Sequence, residues 1–244
     1  YSVVKDYFIC EYRGKLPVKY KGNIDMYFVK GLRPELSVDL KRIPNKRFFT
    51  KLQMLRLRDL EELVFEKLKS HSDLLVLHNK DYLIRMVNQT ELLGRSENIS
   101  EEDLLLVQTS ALLMYTGLAD NYENYENTSI QYVQEILPFY SYSGKQIDRI
   151  CNLILATKTP FKPQNLFEKI LIDAKMEYLG SSDYVANIKL QFEEMQNMGM
   201  GKTHANMVRQ QEELLKKFNF HTIAAQRLRE ISKEEQIAKL KALE

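Results

Sequence analysis

At 244 residues, 44% of them hydrophobic and 28% charged, the chain has room for one large domain or a domain plus a fragment, with the composition of a globular protein that builds a real core. A formal net charge of +2 gives no electrostatic reason to expect nucleic acid as a partner. The two cysteines, Cys10 and Cys151, exclude a disulfide scaffold and fit a reduced, cytoplasmic setting, and no apolar run reaches the roughly 18 residues of a membrane helix.

The opening YSVVKDYFICEYRG carries no signal-peptide pattern and reads as domain interior, so a piece of a longer protein is expected. Residues 1–30 cluster β-branched and aromatic side chains in two strand-like runs. Gly14 and Lys15, with Pro17 close behind, read as the hairpin connection between them. Residues 31–50 carry two prolines and little periodicity and read as a linker. From residue 51 the period becomes helical: Leu52, Leu55, Leu60, Leu63, Val64 and Leu68 recur near 3.6.

Ser100 ahead of EEDLLLVQTSALL is a capping residue, with Asp103 three positions on. The helix it starts runs out at Met114, Tyr115 and Gly117, before a polar, Tyr-rich loop. Further helices are expected from Ser129 to a stop at Pro138, from Ser143, from Pro163 to a C-cap at Gly180, and from Asp183. The last stretch reads as two more, broken around Asn219–His221, the second with a solvated Glu/Lys face. The whole is mainly α, about eight helices with a short N-terminal β-hairpin, and without a fixed-period repeat.

Chemistry-bearing patterns are sparse. His71, His78, His204 and His221 make no i, i+4 pair on one helix, and there is no C-x-x-C. GMGK at 199–202 lacks phosphate-loop spacing and follows a helix, so it reads as a turn.

Two family resemblances add to this. YRGKLPVKYKGNIDMYFV resembles the C-terminal hairpin of the class III adenylate/guanylate cyclase catalytic domain: Arg13-Gly14, then Val18-Lys19-Tyr20-Lys21-Gly22, then Tyr27-Phe28-Val29, in the family's order. The resemblance implies a nucleotide-phosphate contact for Lys19, and an upstream cyclase domain in the same chain as partner. The residues alone are as well explained by Lys19 and Lys21 pointing outward from an exposed strand.

Residues 51–244 resemble an HD-domain metal-dependent phosphohydrolase, in the version fused behind bacterial cyclase domains of cyclic-nucleotide signalling. The frame is kept in Leu77-His78-Asn79, in Ala111-Leu112-Leu113 with Gly117, in Tyr122, Glu126 and Ser129, and in EILPFYSYSG, LILATKTPFKP and EYLG. The family's metal ligands are not. Its second early His falls on Tyr82, its His-Asp pair on Met114 and Tyr115, and its late Asp on Lys175. Its loop His falls on Tyr125. His78, which matches a proton-donating His of related phosphodiesterases, and Asp173 remain. A thioether is a soft donor, a neutral phenol with pKa about 10 is a weak one, and an ammonium repels a cation.

The expectation is therefore an HD-fold helical bundle with a degenerate metal site, needing no cofactor, catalytically silent, and regulatory or dimerising within a cyclase-like protein, with a homodimer possible and neither nucleic acid nor membrane as partner. Two alternatives stand beside it. One is a divergent phosphohydrolase, which would need a divalent metal. The other is a small-ligand sensor in the former active-site cavity.

Overall fold

The computed structural model describes residues 1–40 and 42–242. It divides into two compact units, Tyr1–Leu55 and Arg56–Glu244.

In the first unit β1 (Phe8–Val18) pairs antiparallel with β2 (Gly22–Leu32). The connection is Lys19-Tyr20-Lys21, where Tyr20 has φ 67° and the Lys21 amide donates to Val18 O at 3.0 Å. Gly14 is not the turn. It sits inside β1 at a register shift, opposite Met26 while Tyr12 faces Tyr27, with φ 102°. A β-bulge needs that backbone as much as a turn does, and glycine serves both. Lys19 thus belongs to the hairpin tip and not to a strand.

Residues 31–40 and 42–50 carry short regular elements. Pro34–Leu36 form a 3-10 turn, and β3 (Ser37–Val38) pairs with β4 (Ile43–Pro44). Leu36 is 0% exposed. Asn45 Nδ2 donates to the carbonyls of Glu35 and Ser37, and α1 (Lys46–Lys69) already begins there.

The second unit is helical, as the periodicity predicts. Its helices after α1 are α2 (Lys80–Ser96), α3 (Glu101–Leu113), α4 (Tyr125–Ile136), α5 (Gly144–Ala156), α6 (Leu166–Lys175), α7 (Tyr184–Asn197), α8 (His204–Lys217), α9 (Ile223–Arg227) and α10 (Lys233–Lys241). Ten α-helices are thus seen among the described residues, against about eight expected. The final stretch holds three instead of two, because Thr222 and Ser232 each cap a new start.

α3 is the centre. Every residue from Leu104 to Leu113 is buried, so the helix has no wet face. Its polar members are satisfied locally: Thr109 and Ser110 hydroxyls donate to Leu105 O and Leu106 O, and Thr109 Oγ1 also meets the Tyr142 hydroxyl at 2.8 Å. α2, α5 and α6 pack around it. The starts follow the predicted chemistry: Ser100 accepts from the Asp103 amide, and Ser143 forms a full capping box with Gln146. No described helix is long and apolar enough to cross a membrane.

Candidate functional site

The C-terminal end of α3 opens onto a cleft of roughly 120 Å³. Three local devices shape it. Asn79 caps α2 by accepting from the Tyr82 amide, which leaves His78 just outside the helix and Tyr82 on its first turn. Gly117 lets α4 come onto the turn after α3 so closely that a Cβ there would lie 2.6 Å from Tyr125 O and 2.7 Å from Ser129 N. The Ser129 hydroxyl then ties the two, donating to Met114 O at 2.8 Å and accepting from the Gly117 amide at 2.9 Å.

Five of the positions named from sequence meet at this cleft: His78, Tyr82, Tyr115, Tyr125 and Lys175. The rings form a continuous wall. His78 lies 4.8 Å from Tyr82 and 4.4 Å from Tyr115, and Tyr115 stacks on Tyr125 at 5.5 Å. The Tyr82 and Tyr115 hydroxyls are 3.4 Å apart. Burial pushes the Tyr82 phenol up to about 12, and burial again lifts Tyr115 and Tyr125 well above their ordinary value. All three are neutral phenols at physiological pH.

Lys175, at the end of α6, reaches into the same cleft with a side chain only 15% exposed. Its ammonium donates to the Tyr125 hydroxyl at 2.7 Å and to Thr157 O at 2.9 Å, and stands 3.7 Å from the buried Glu126 carboxylate. Burial draws its pKa down to about 8, against the pull of Glu126 in the other direction.

Three of the named positions lie elsewhere. Met114 is fully buried and does not line the cleft. Asp173 lines a different cleft, and its carboxylate is taken up by the chain: it accepts from the His221 amide, from the Thr222 amide at 2.7 Å and from the Thr222 hydroxyl at 2.8 Å. It anchors the start of α9. Burial raises its pKa, with those hydrogen bonds opposing. Lys19 sits at the hairpin tip with its ammonium 5.0 Å over the Tyr20 ring, a side chain that is 93% exposed.

Sequence reasoning missed Glu194. This carboxylate, on α7 and wholly buried, holds His78 Nδ1 at 2.5 Å. It also accepts from the Leu77 and His78 amides at 2.9 and 3.0 Å and from the Tyr122 hydroxyl at 3.0 Å. Burial alone would raise its pKa, but His78, the amides and Tyr122 together hold it below the usual carboxylate value. A signal was present. Asn187-Ile188 and Glu194-Met195 are seven apart, which puts Glu194 on the buried stripe of its helix.

A divalent cation of the kind the HD resemblance implies does not fit these side chains. Among the described residues no group of three or more His, Cys, Asp or Glu is placed to hold a metal ion. The cleft offers neutral phenols and an ammonium, and its one imidazole is engaged by Glu194.

Two solved structures resemble the chain. One is described as a predicted HD superfamily hydrolase from an uncultured Thermotogales bacterium. It is 17% identical, with a TM-score of 0.51, over 77% of this chain and 89% of that one. The other is Bacillus subtilis YpgQ in complex with ADP, 18% identical with a TM-score of 0.47, over 68% of this chain and 88% of that one. The first likeness is one of fold, a mainly helical architecture. No family model matches the chain, and no curated protein does.

Proposed function

We propose that residues 51–244 are a catalytically silent HD-fold module, regulatory or dimerising, and that residues 1–30 are the terminal hairpin of a class III cyclase-like region on which it acts. The cyclase part of this reading rests on the order of motifs from Arg13 to Val29. The silent-module part is supported by one observation: the Lys175 ammonium, bonded to Tyr125 and Thr157 and beside Glu126, stands in the cleft, at the position to which the HD resemblance assigns a carboxylate ligand. A positive charge there works against a cation by simple Coulomb repulsion.

Elemental analysis of protein purified without chelator, together with hydrolysis of phosphate esters in added Mn²⁺, tests this. The expected result is substoichiometric metal and no turnover. About one metal per chain, lost on replacing His78, would establish the divergent phosphohydrolase instead. Replacing Tyr82 by His, Met114 by His, Tyr115 by Asp and Lys175 by Asp together is the converse experiment, since ligands on rigid helices keep their directions. It should create divalent-metal binding, and a folded quadruple variant that binds no Mn²⁺ at millimolar concentration would count against the positions named here.

A second reading, a small-ligand pocket, is favoured by the cleft itself, roughly 120 Å³ with His78, Lys175 and Asn187 among its lining.

A further inference from the structure

α2 turns Leu83, Met86, Val87 and Leu93 into the core, and a helix so placed ordinarily shows water a polar face. Its outward stripe is different. At spacings of three and four it reads Asp81, Ile84, Arg85, Asn88, Leu92 and Arg95, which fall within about a third of the circumference at 3.6 residues per turn. The first five of these line one shallow groove along the helix. Ile84 and Leu92 are 37% and 45% exposed, and the half-exposed Leu228 of α9 borders the stripe at Gln89. The stripe is also complementary to itself. Asp81 and Arg95 each lie seven residues from Asn88, and Ile84 and Leu92 each lie four. Read backwards about Asn88, it lays acid on base, Ile on Leu and amide on amide.

We infer that the outward stripe of α2 is a self-association surface, and that its partner is the α2 of a second copy of this chain, packed antiparallel across a two-fold axis at Asn88. In such an isologous contact every pair occurs twice. Two Asp81–Arg95 ion pairs close the ends and two Ile84–Leu92 layers fill the inside. At the axis the two Asn88 amides, each with a donor and an acceptor, exchange hydrogen bonds. A polar pair in an apolar seam fixes register, as a buried Asn does in a coiled coil. Charge fixes direction, because a parallel pair would set Asp81 against Asp81 and Arg95 against Arg95. The end groups are available for this. Asp81 makes no ion pair among the described residues. Arg95 is aimed by Glu91, whose Oε1 takes Nε and Nη2 at 2.7 Å each, and its guanidinium keeps further donors for a second carboxylate. Seventeen residues give a seam of about 25 Å, short for an interface, so the association is a weak one.

The inference rests on the dimerising reading of residues 51–244 and not on their catalytic silence, and the two fail separately: a metal-loaded chain that still dimerises through α2 sinks only the silence. Sedimentation velocity of the 244-residue chain at low salt, from about 5 to about 300 µM, should show a concentration-dependent dimer. Asp81→Lys and Arg95→Glu should each weaken it about tenfold or more, since each sets like charges together at both ends of the seam. The double variant restores opposite charges and should return the affinity to within about threefold of wild type. Circular dichroism checks that each variant is folded. A second measurement does not depend on charge. In a Cys10→Ser background, Asn88→Cys should form an intermolecular disulfide under mild oxidation, because a residue on the axis meets its own copy, whereas Ser96→Cys on the same helix should not. A chain that stays monomeric at about 300 µM overturns the inference, as does a dimer that ignores both charge reversals. So do a double variant no better than the singles and an Asn88→Cys crosslink no faster than that of Ser96→Cys.

Discussion

Glu194 and Lys175 are two of the buried charges through which this fold responds to pH, and they act at opposite ends of the scale. Glu194 has its folded pKa held below the ordinary 4.5, so its contribution is fully present above 4.5 and is lost as pH falls through the lower folded value. Glu194→Gln keeps an oxygen for the Leu77 and His78 amides but removes the charge that holds the His78 ring. It should cost about 2 kcal/mol near neutrality and make the acid limb of a stability curve shallower than in the wild type. Denaturant melts from pH 3 to 7 would show this, and an unchanged acid limb would remove Glu194 from the account. Lys175 has its folded pKa lowered to about 8 against 10.5, so the unfolded chain binds more protons between these values and stability rises with pH there. The expected gain between pH 8 and 10 is about 2 kcal/mol, and Lys175→Met should abolish it. Asp173 is a buried carboxylate whose hydrogen bonds all go to the chain. Asp173→Asn leaves an acceptor for the Thr222 amide but weakens three bonds at the start of α9, and should lower stability by about 2 kcal/mol in a denaturant melt.

Helix starts were readable wherever a side chain had to satisfy a backbone amide within three residues, as at Ser100 and Ser143, because that requirement is local. Asp183 was also read as a start, yet its side chain makes no cap bond and pairs with Arg85 at 2.8 Å instead. The hairpin was readable but its turn was not: a positive φ at Gly14 suits a bulge or a turn, and only the pairing of Tyr12 with Tyr27 decides between them. The cleft was partly readable. Its five positions were found through a family frame that spaces them along the chain, whereas the partner of His78 lies 116 residues away on a helix whose polar positions mostly face water. The junction of α3 with α4 depends on a single missing side chain. Gly117→Ala would drive a Cβ into the backbone at Tyr125 and Ser129, atoms that cannot swing aside as a flexible side chain would. The expected cost is about 3 kcal/mol, or a fall in melting temperature of roughly 6–12 °C. A melt within a degree of wild type would mean that α4 is free to move off the turn, and with it Tyr125 and Glu126.

The two units are stabilised on different terms. Arg56–Glu244 is organised round α3, a helix buried on all sides, whose amides are shielded by layers of Leu and Ile from α2, α5 and α6. Tyr1–Leu55 is organised round two strands, and two strands with little to cover them are marginal in water. Its ribbon leaves large apolar side chains in contact with solvent: Ile9, Tyr12, Phe28 and Val29 are each between 45% and 58% exposed. What orders it is a set of smaller contacts, the Tyr1–Tyr27 stack at 4.0 Å, the Tyr12 hydroxyl to Asp25 at 2.8 Å, and the Arg33 guanidinium to Lys5 O at 2.7 Å. Exposed hydrogen bonds and ion pairs of this kind are each worth about 1 kcal/mol or less. Native-state hydrogen exchange should therefore grade the chain sharply. Amides of β1 and β2 should exchange through local opening at a cost of about 1–3 kcal/mol, while those of Leu104–Leu113 should exchange only through global unfolding and slow further in parallel with any gain in overall stability. Equal protection of the hairpin and α3 in the isolated chain would show that the ribbon is covered by something these contacts do not include.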